Sequence, residues 1–227
     1  MEIRPIAFIH TEFSEKFGIP RQSGLAGSLR GKIVFGKEFR SPDAVRGLED
    51  FSHIWLIWEF SSRKGTVGKW QPVVRPPRLG GNAQMGLWAT RSPFRPNPIG
   101  LSCVELESIV YDAAEGPVIY VKGADLMDGT PIYDIKPYIR YADSRPEAVC
   151  GYVDSLGERR LDVVIPETLR KAAGENAAVL SEVLGLDPRP SYQNDPERVY
   201  GMSFCGLNVK FTVSGDVLVV CAIEKQG

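Results

Sequence analysis

Short apolar runs, separated by loops rich in Gly and Pro, fill the first 140 residues of the chain. Ile54–Phe60, with the sequence IWLIWEF, is the most apolar of these runs and has to be buried. A sheet that closes on itself is the simplest way to bury strands this short and apolar. The pattern therefore predicts a mainly β fold, an antiparallel barrel with strands at Ile3–Thr11, Gly31–Phe35, Ile54–Phe60, Gln71–Val74, Met85–Ala89, Ile99–Leu106 and Val118–Lys122.

The last third of the chain follows a different pattern. Pro166–Leu184 has apolar residues at helical spacing and Gly185 as a terminator, which predicts one helix. Strands are predicted near Tyr200–Cys205, Leu207–Val213 and Val217–Glu224. The irregular stretch around Asp143–Pro146 separates the two patterns. We therefore expect a barrel domain at residues 1–144 and a small α+β domain at residues 145–227.

The composition is that of an ordinary folded protein. Hydrophobic residues make up 43% of the 227 residues and charged residues 24%, which argues against a disordered chain. No apolar run approaches the roughly 20 residues of a transmembrane helix, and the N-terminal sequence MEIRPIAF has no signal pattern. We therefore expect a cytoplasmic protein.

Cysteine and histidine usage gives no sign of a metal site. The two histidines, His10 and His53, are too few for a His-based zinc site, and we expect no metal. His53 precedes a buried strand, but the sequence supplies no nucleophile for it to activate, so we interpret it as structural. Four scattered cysteines without a CxxC pair are predicted to be reduced core residues: Cys103, Cys150, Cys205 and Cys221.

Charge is distributed unevenly along the chain. The net charge is −1, yet no Asp or Glu occurs between Glu59 and Glu105, a window that carries +7 and leaves −8 for the remainder. A polyanion could be attracted to this face and repelled elsewhere. A solvated basic surface without a ligand is the alternative interpretation.

The loop Arg91–Pro98 lies within this basic window. Its three prolines each fix φ and keep the preceding residue out of the helical region, so the loop is stiff and extended. Arg91 and Arg95 therefore project from an ordered backbone. A second loop stiffened by proline, Arg75–Gly81, carries two more arginines. Loops that flank one strand, here Met85–Ala89, serve one site only if the sheet curls or a second subunit contributes, so we expect a homodimer.

The common nucleotide-binding fingerprints are missing. The sequence has neither GxGxxG after a strand nor GxxxxGK[ST], which argues against a Rossmann enzyme and a P-loop enzyme. The residues alone support a basic, β-rich surface that binds an anion, with RNA as the expected ligand.

Three motifs carry a family resemblance: VRPPRLGGNAQMG at Val74–Gly86, ATRSPFRPNPIGLS at Ala89–Ser102 and DGTPIYDIKPY at Asp128–Tyr138. They resemble the TsaA-like family, most closely its TrmO branch of bacterial tRNA methyltransferases. The resemblance covers roughly residues 3–145 and extends more loosely into the C-terminal part. It implies a single-sheeted β-barrel that uses S-adenosylmethionine to methylate N6 of threonylcarbamoyladenosine at position 37, in the anticodon loop of tRNA.

The resemblance also implies a set of cofactor contacts. An arginine suits the carboxylate of S-adenosylmethionine, and backbone groups of the turn at residues 125–128 suit its adenine. Asp128 is the candidate general base, with Asp134 as the second choice. For Ser61 and Ser62 only backbone contacts are carried over, because relatives differ in residue type there. The expected contacts are Pro20, Arg21, Gln22, Ser61, Ser62, Arg91, Leu101, Asp125, Leu126, Met127 and Asp128.

Basic residues outside this set are expected to bind tRNA: Arg75, Arg78, Arg95 and Lys136. Arg95 is the first choice for the carboxylate of the threonylcarbamoyl group, and Lys136 is the second. A non-catalytic RNA-binding barrel, which presents these arginines and Phe94 to unpaired bases, is the alternative function. A different methyl acceptor on the same cofactor site is a third possibility.

Overall fold

The structure, a computed structural model, describes residues 2–60, 70–157, 159–190, 193 and 195–226. The strands are β1 (Ala7–His10), β2 (Arg30–Phe35), β3 (His53–Glu59), β4 (Val73–Val74), β5 (Met85–Gly86), β6 (Ile99–Asp112), β7 (Gly116–Lys122), β8 (Thr130–Pro137), β9 (Asp162–Val164), β10 (Tyr200–Phe204), β11 (Leu207–Ser214) and β12 (Val217–Lys225). The α-helices are α1 (Arg140–Asp143), α2 (Glu167–Ala173) and α3 (Ala177–Gly185). Among the described residues, no helix is long and apolar enough to span a membrane.

Six strands form a closed antiparallel barrel in the order β1, β2, β7, β6, β3, β8. Strand β1 closes the ring, because Ala7 pairs with Phe35 of β2 on one side and with Ile132 of β8 on the other. The predicted mainly β fold with a single-sheeted barrel is confirmed. Closure leaves none of these six strands with an unpaired edge.

The alternation of side chains along β3 shows how the barrel is filled. Ile54, Leu56 and Trp58 are buried in the interior, while the residues between them point outward and are only partly covered. A period of two is what a strand with one core-facing side requires. The apolar run Ile54–Phe60 thus contributes side chains to the barrel interior, and its residue Trp58 lies at one end of the barrel.

A second sheet, in the order β10, β11, β12, β9, forms the C-terminal part, with β9 parallel to β12. The single helix predicted over Pro166–Leu184 is wrong. Gly174 ends α2 with φ of 59° and ψ of −133°, far from helical values, and a 3₁₀ turn at Gly174–Asn176 leads into α3. Gly185 is the last residue of α3. The three antiparallel strands were predicted to within one residue at each end.

Residues 13–29 lie before β2 in sequence but pack into the second core. Phe13, Ala26 and Leu29 are 1% exposed or less and belong to the apolar cluster of the C-terminal sheet. The Glu182 carboxylate of α3 accepts hydrogen bonds from backbone N–H groups of this segment at 2.9 and 3.1 Å. The domain boundary at residue 144 stays a prediction. We propose that residues 13–29 belong to the same folded unit as the C-terminal part.

Several local predictions are corrected by the structure. Only Met85–Gly86 of the predicted strand Met85–Ala89 is extended; it pairs with β4 in a two-stranded ribbon, and Leu87–Ala89 is a 3₁₀ turn. Strands β8 and β9 were not predicted. The cysteines are free thiols, but none is a core residue, since Cys150 and Cys221 are exposed and the other two are half-buried.

Phe13→Ala tests whether residues 13–29 are anchored in the second core. Removal of a fully buried ring is expected to destabilise the protein by about 3–5 kcal/mol, through lost transfer free energy and the cavity left behind. Urea denaturation followed by circular dichroism measures this. Tyr141→Ala, at an aromatic residue that is 88% exposed, is the control and should change stability by about 0.5 kcal/mol at most. Equal effects of the two changes contradict the anchoring.

Candidate active site

A cavity of about 680 Å³ opens at the end of the barrel where β3 ends and β6 begins. Four parts of the chain form its wall: the segment before β2, the end of β3, residues 88–101 and the turn between β7 and β8. Trp58 and Phe60 contribute aromatic rings whose centroids are 4.4 Å apart. The cavity is of the size and the mixed apolar and polar character of small-molecule sites.

The turn between β7 and β8 is held by the segment that follows β1. The Thr11 hydroxyl donates to the Leu126 carbonyl at 2.9 Å, and the Asp128 N–H donates to the Phe13 carbonyl at 2.8 Å. The Asp128 carboxylate accepts from the Thr11 N–H at 3.1 Å and lies 3.1 Å from His10 Nδ1. Leu126 and Met127 line the cavity, whereas Asp128 is not among its lining residues. These bonds fix the backbone that faces the cavity.

A chain of buried hydrogen bonds ends on the carboxylate that does face the cavity, that of Asp125. Trp58 Nε1 donates to Ser102 Oγ at 3.0 Å, and Ser102 Oγ donates to Asp125 Oδ1 at 2.6 Å. Burial raises the pKa of Asp125, an effect opposed by the Ser102 hydrogen bond and by the Arg91 charge. Gly100 is required here, since a Cβ on it would lie 2.3 Å from Trp58 Cε2.

Two arginines from different segments of the chain line the cavity. Arg91 donates to the Gln22 side-chain carbonyl, and Arg21 donates to the backbone carbonyls of Asp187 and Arg189 at 3.0 and 3.2 Å. The carbonyls that hold Arg21 are themselves fixed, because the Arg189 guanidinium makes a bidentate ion pair with the Asp187 carboxylate at 2.8 and 3.0 Å. The C-terminal part therefore helps to position a cavity-lining residue.

Both loops stiffened by proline lie at this end of the barrel. Arg91 and Arg95 line the cavity. Burial and, second, the nearby charge of Arg78 lower the pKa of Arg21, which places Arg78 close to the same rim. Residues 85–89, which connect the two loops, form a ribbon strand and a turn rather than a barrel strand. The two loops can therefore lie at the same end of the barrel within one chain. A second subunit is not needed for this, and the homodimer stays a prediction.

Comparison with known proteins agrees with this geometry. Residues 8–144 match the family model described as the tRNA-methyltransferase O N-terminal domain, and residues 158–226 match the TrmO C-terminal domain. The chain belongs to the TrmO family. It is 40% identical to an Escherichia coli protein named tRNA (adenine(37)-N6)-methyltransferase, over 99% of this chain and 98% of that one.

Two further relatives come from Pseudomonas aeruginosa. One, 40% identical over 91% of this chain and 90% of that one, has a name that places it among S-adenosylmethionine-dependent methyltransferases. The other is a crystal structure titled as TrmO, with a TM-score of 0.80 and 32% identity, which covers 99% of this chain and 97% of that chain. The TrmO fold therefore extends over both sheets of this protein.

Most of the cofactor contacts expected for a TrmO protein meet at the cavity. Ser61 and Ser62 lie outside the described residues, and the Asp128 carboxylate is engaged by His10 and Thr11 instead. The catalytic role of Asp128 stays a prediction that this placement does not favour. The expected residues that line the cavity are Pro20, Arg21, Gln22, Arg91, Leu101, Asp125, Leu126 and Met127.

The residues expected to bind tRNA are more dispersed. Arg95 lines the cavity, but its guanidinium also donates to the Thr90 carbonyl. Arg78 donates to the Gly157 carbonyl at 2.9 Å. Lys136 forms an ion pair with Asp134 at 2.9 Å. Thr130, the first residue of β8, lines the cavity, and Lys136 lies about 20 Å further along the same strand. Arg75 is not among the cavity-lining residues.

Four buried residues of the site were missed by sequence reasoning: Trp58, Gly100, Ser102 and Thr130. Trp58 and Ser102 are 8% and 1% exposed, and both belong to runs that the sequence presents as ordinary core strands. A polar residue at a core-facing position of β6 was the available signal for Ser102, because buried hydroxyl groups require partners.

Asp125→Asn tests whether the environment of the cavity raises the pKa of this carboxylate. An acid whose pKa is raised on folding binds its proton more tightly in the folded state, so stability falls as pH rises through the interval between its ordinary and raised pKa. Asparagine removes that cost. As the pH rises from below about 3.9, the ordinary pKa of an Asp, to 7, we expect the unfolding free energy of the variant to increase relative to that of the parent. A difference between the two proteins that is independent of pH contradicts the assignment.

Proposed function

We propose that this protein transfers the methyl group of S-adenosylmethionine to N6 of adenosine 37 in tRNA, and that this adenosine already carries a threonylcarbamoyl group. The cavity carries the proposal, because it combines a half-buried carboxylate, two arginines and aromatic walls at one end of a closed barrel. The TrmO family membership and the names of the relatives support the same reaction.

The chemistry of the lining residues fits S-adenosylmethionine. Arg91 and Arg21 are suited to its carboxylate, and backbone groups of the turn at residues 125–128 are suited to its adenine. The rings of Trp58 and Phe60 offer faces that attract a cation such as a sulfonium. The bound molecule supplies an electrophilic methyl group on that sulfonium.

The residues of the chain have two tasks in such a transfer. Apolar walls exclude water and hold the reacting groups in line, which is the larger part of what methyl transfer requires. The acceptor nitrogen is a weak nucleophile, so a carboxylate that accepts its proton helps. Asp125 is better placed than Asp128 to do this, since it faces the cavity and burial raises its pKa towards neutrality.

The charge distribution supports tRNA as the partner. The window between Glu59 and Glu105 contains no acid, and its described arginines include Arg78, Arg91 and Arg95 at or near the cavity. The rest of the chain carries −8, so the phosphate backbone is attracted to the cavity end and repelled elsewhere. A homodimer remains part of the proposal.

Arg91→Ala tests the cofactor site. The loss of a charged hydrogen bond to a carboxylate should weaken S-adenosylmethionine binding by roughly 1.5–3 kcal/mol, measured by isothermal titration calorimetry. Arg46→Ala, at an arginine of the barrel surface that pairs with Asp43, is the matched control and should leave binding unchanged. Equal affinity of the two variants removes Arg91 from the site. A parent that binds tRNA but not S-adenosylmethionine supports the non-catalytic RNA-binding function instead.

The threonylcarbamoyl group is tested with two anticodon stem-loops that differ only in that modification. A site with donors for its carboxylate and carbonyl leaves those donors unpaired on plain adenosine, so the unmodified stem-loop should be a very poor substrate. Methyl incorporation is followed by mass spectrometry of nucleosides. Efficient methylation of the unmodified stem-loop by the parent contradicts this acceptor.

Arg95→Ala separates recognition of that carboxylate from support of the loop. Because Arg95 also donates to the Thr90 carbonyl, total activity falls under either role. Only the recognition role lowers the preference for modified over unmodified stem-loop. We expect the ratio of kcat/KM values to fall by roughly tenfold or more, the effect of about 1.4 kcal/mol or more. An unchanged ratio removes Arg95 from acceptor recognition.

A further inference from the structure

Trp70 and Trp88 form a stacked pair on the surface. Their ring centroids are 6.2 Å apart with an interplanar angle of 17°, yet the residues are 46% and 68% exposed. Tryptophan is on average a highly buried residue, so two neighbouring exposed indoles mark a surface for interaction. Nothing in the proposed cofactor contacts uses them.

The pair is held by the backbone on both sides. Trp88 lies in the 3₁₀ turn at Leu87–Ala89, which is anchored by buried Leu87 and by the Thr90 hydroxyl bonded to the Leu87 carbonyl at 2.9 Å. The Gln71 N–H, next to Trp70, donates to the Phe94 carbonyl at 3.3 Å, and the Leu87 N–H donates to the Pro72 carbonyl at 2.9 Å. The backbone that carries both indoles is therefore ordered before any partner arrives, which lowers the entropy cost of binding.

The surroundings of the pair identify the partner. Trp88 lines the mouth of the cavity, and the Arg95 guanidinium lies 5.4 Å from the centroid of its ring. The pair also lies within the stretch of sequence that carries seven positive charges and no acid. An exposed aromatic surface beside cations is the arrangement that proteins use for unpaired nucleotides, whose bases stack while their phosphates are neutralised.

We propose that Trp70 and Trp88 form a stacking platform for unpaired bases of the anticodon loop that flank the target adenosine. The proposal rests on the proposed function for the identity of the RNA. The platform lies beside the cavity mouth, so bases held there direct the neighbouring nucleotide into the cavity. An apolar protein surface is a poorer occupant, since it leaves the adjacent arginines without counter-charges.

The experiment measures binding of an anticodon stem-loop RNA by fluorescence anisotropy, with the parent and Trp88→Ala. Loss of one stacked base weakens binding by about 5- to 150-fold, the range that corresponds to measured stacking energies. Trp88→Phe, which keeps an aromatic ring, should recover most of the affinity. Tyr111→Ala is the matched control, because Tyr111 is 58% exposed but lies about 40 Å of strand from Ile99 at the cavity end of β6.

A double-mutant cycle shows whether a base is the partner. The nucleotide on either side of adenosine 37 is replaced, one at a time, by an abasic nucleotide. At the stacked position, the abasic change should weaken the parent and leave Trp88→Ala unaffected. Equal binding of the stem-loop by the parent and Trp88→Ala overturns the proposal, as does an equal loss at every abasic position. A change of oligomeric state in Trp88→Ala, seen by analytical ultracentrifugation, also overturns it and indicates contact between copies of this chain.

The proposed function can be rejected independently of the stacking platform. Absence of S-adenosylmethionine binding and methyl transfer in the parent rejects the enzyme, whereas the abasic cycle still reports on the platform. Conversely, normal methylation with no effect of Trp88→Ala on stem-loop affinity rejects the platform and leaves the enzyme in place.

Discussion

Phe13, Ala26 and Leu29 are buried in the core of the C-terminal sheet although they belong to the irregular segment between β1 and β2. Burial of these apolar side chains fixes the two ends of a stretch of chain that has no regular hydrogen-bonding ladder of its own. Between those ends lie Pro20, Arg21 and Gln22, which form one wall of the cavity. The position of that wall depends on the second core, so both sheets contribute to a single site.

The ends of barrel strands β3 and β6 form another part of the cavity wall, and different contacts hold them in place. The closed hydrogen-bonding ladder of the barrel makes the ends of β3 and β6 rigid, and the absence of a side chain at Gly100 leaves room for the Trp58 ring, which donates to Ser102. The resulting chain of bonds holds the half-buried Asp125 carboxylate at the cavity, where its raised pKa lowers stability at neutral pH and suits a group that binds a ligand or transfers a proton. A cavity-lining carboxylate is thus held by residues that otherwise look like core.

In the proposed function, the cavity recognises a small molecule and the aromatic pair recognises a polymer. Inside, several of the polar side chains are held by neighbouring residues; outside, the indoles of Trp70 and Trp88 lie on segments that brace one another through backbone bonds. Arg95 belongs to both regions, since it lines the cavity and lies over the Trp88 ring. This arrangement places the groups suited to phosphates and bases beside the groups suited to the methyl donor.

The sequence by itself determined the barrel, the hairpin strands of the C-terminal sheet and the basic window, and the family resemblance of its motifs supplied eight cavity-lining residues as expected cofactor contacts. The barrel and the strands follow from local periodicity, which acts over a few neighbouring residues, whereas the cavity-lining residues were expected only from the resemblance to the TrmO family. Only the tertiary structure decided that Asp125 faces the cavity while Asp128 is bonded to Thr11, that Ser102 links Trp58 to Asp125, and that Trp70 meets Trp88. Each of these depends on contacts between residues far apart in the chain, and side-chain direction in a turn is set by partners that no local pattern specifies.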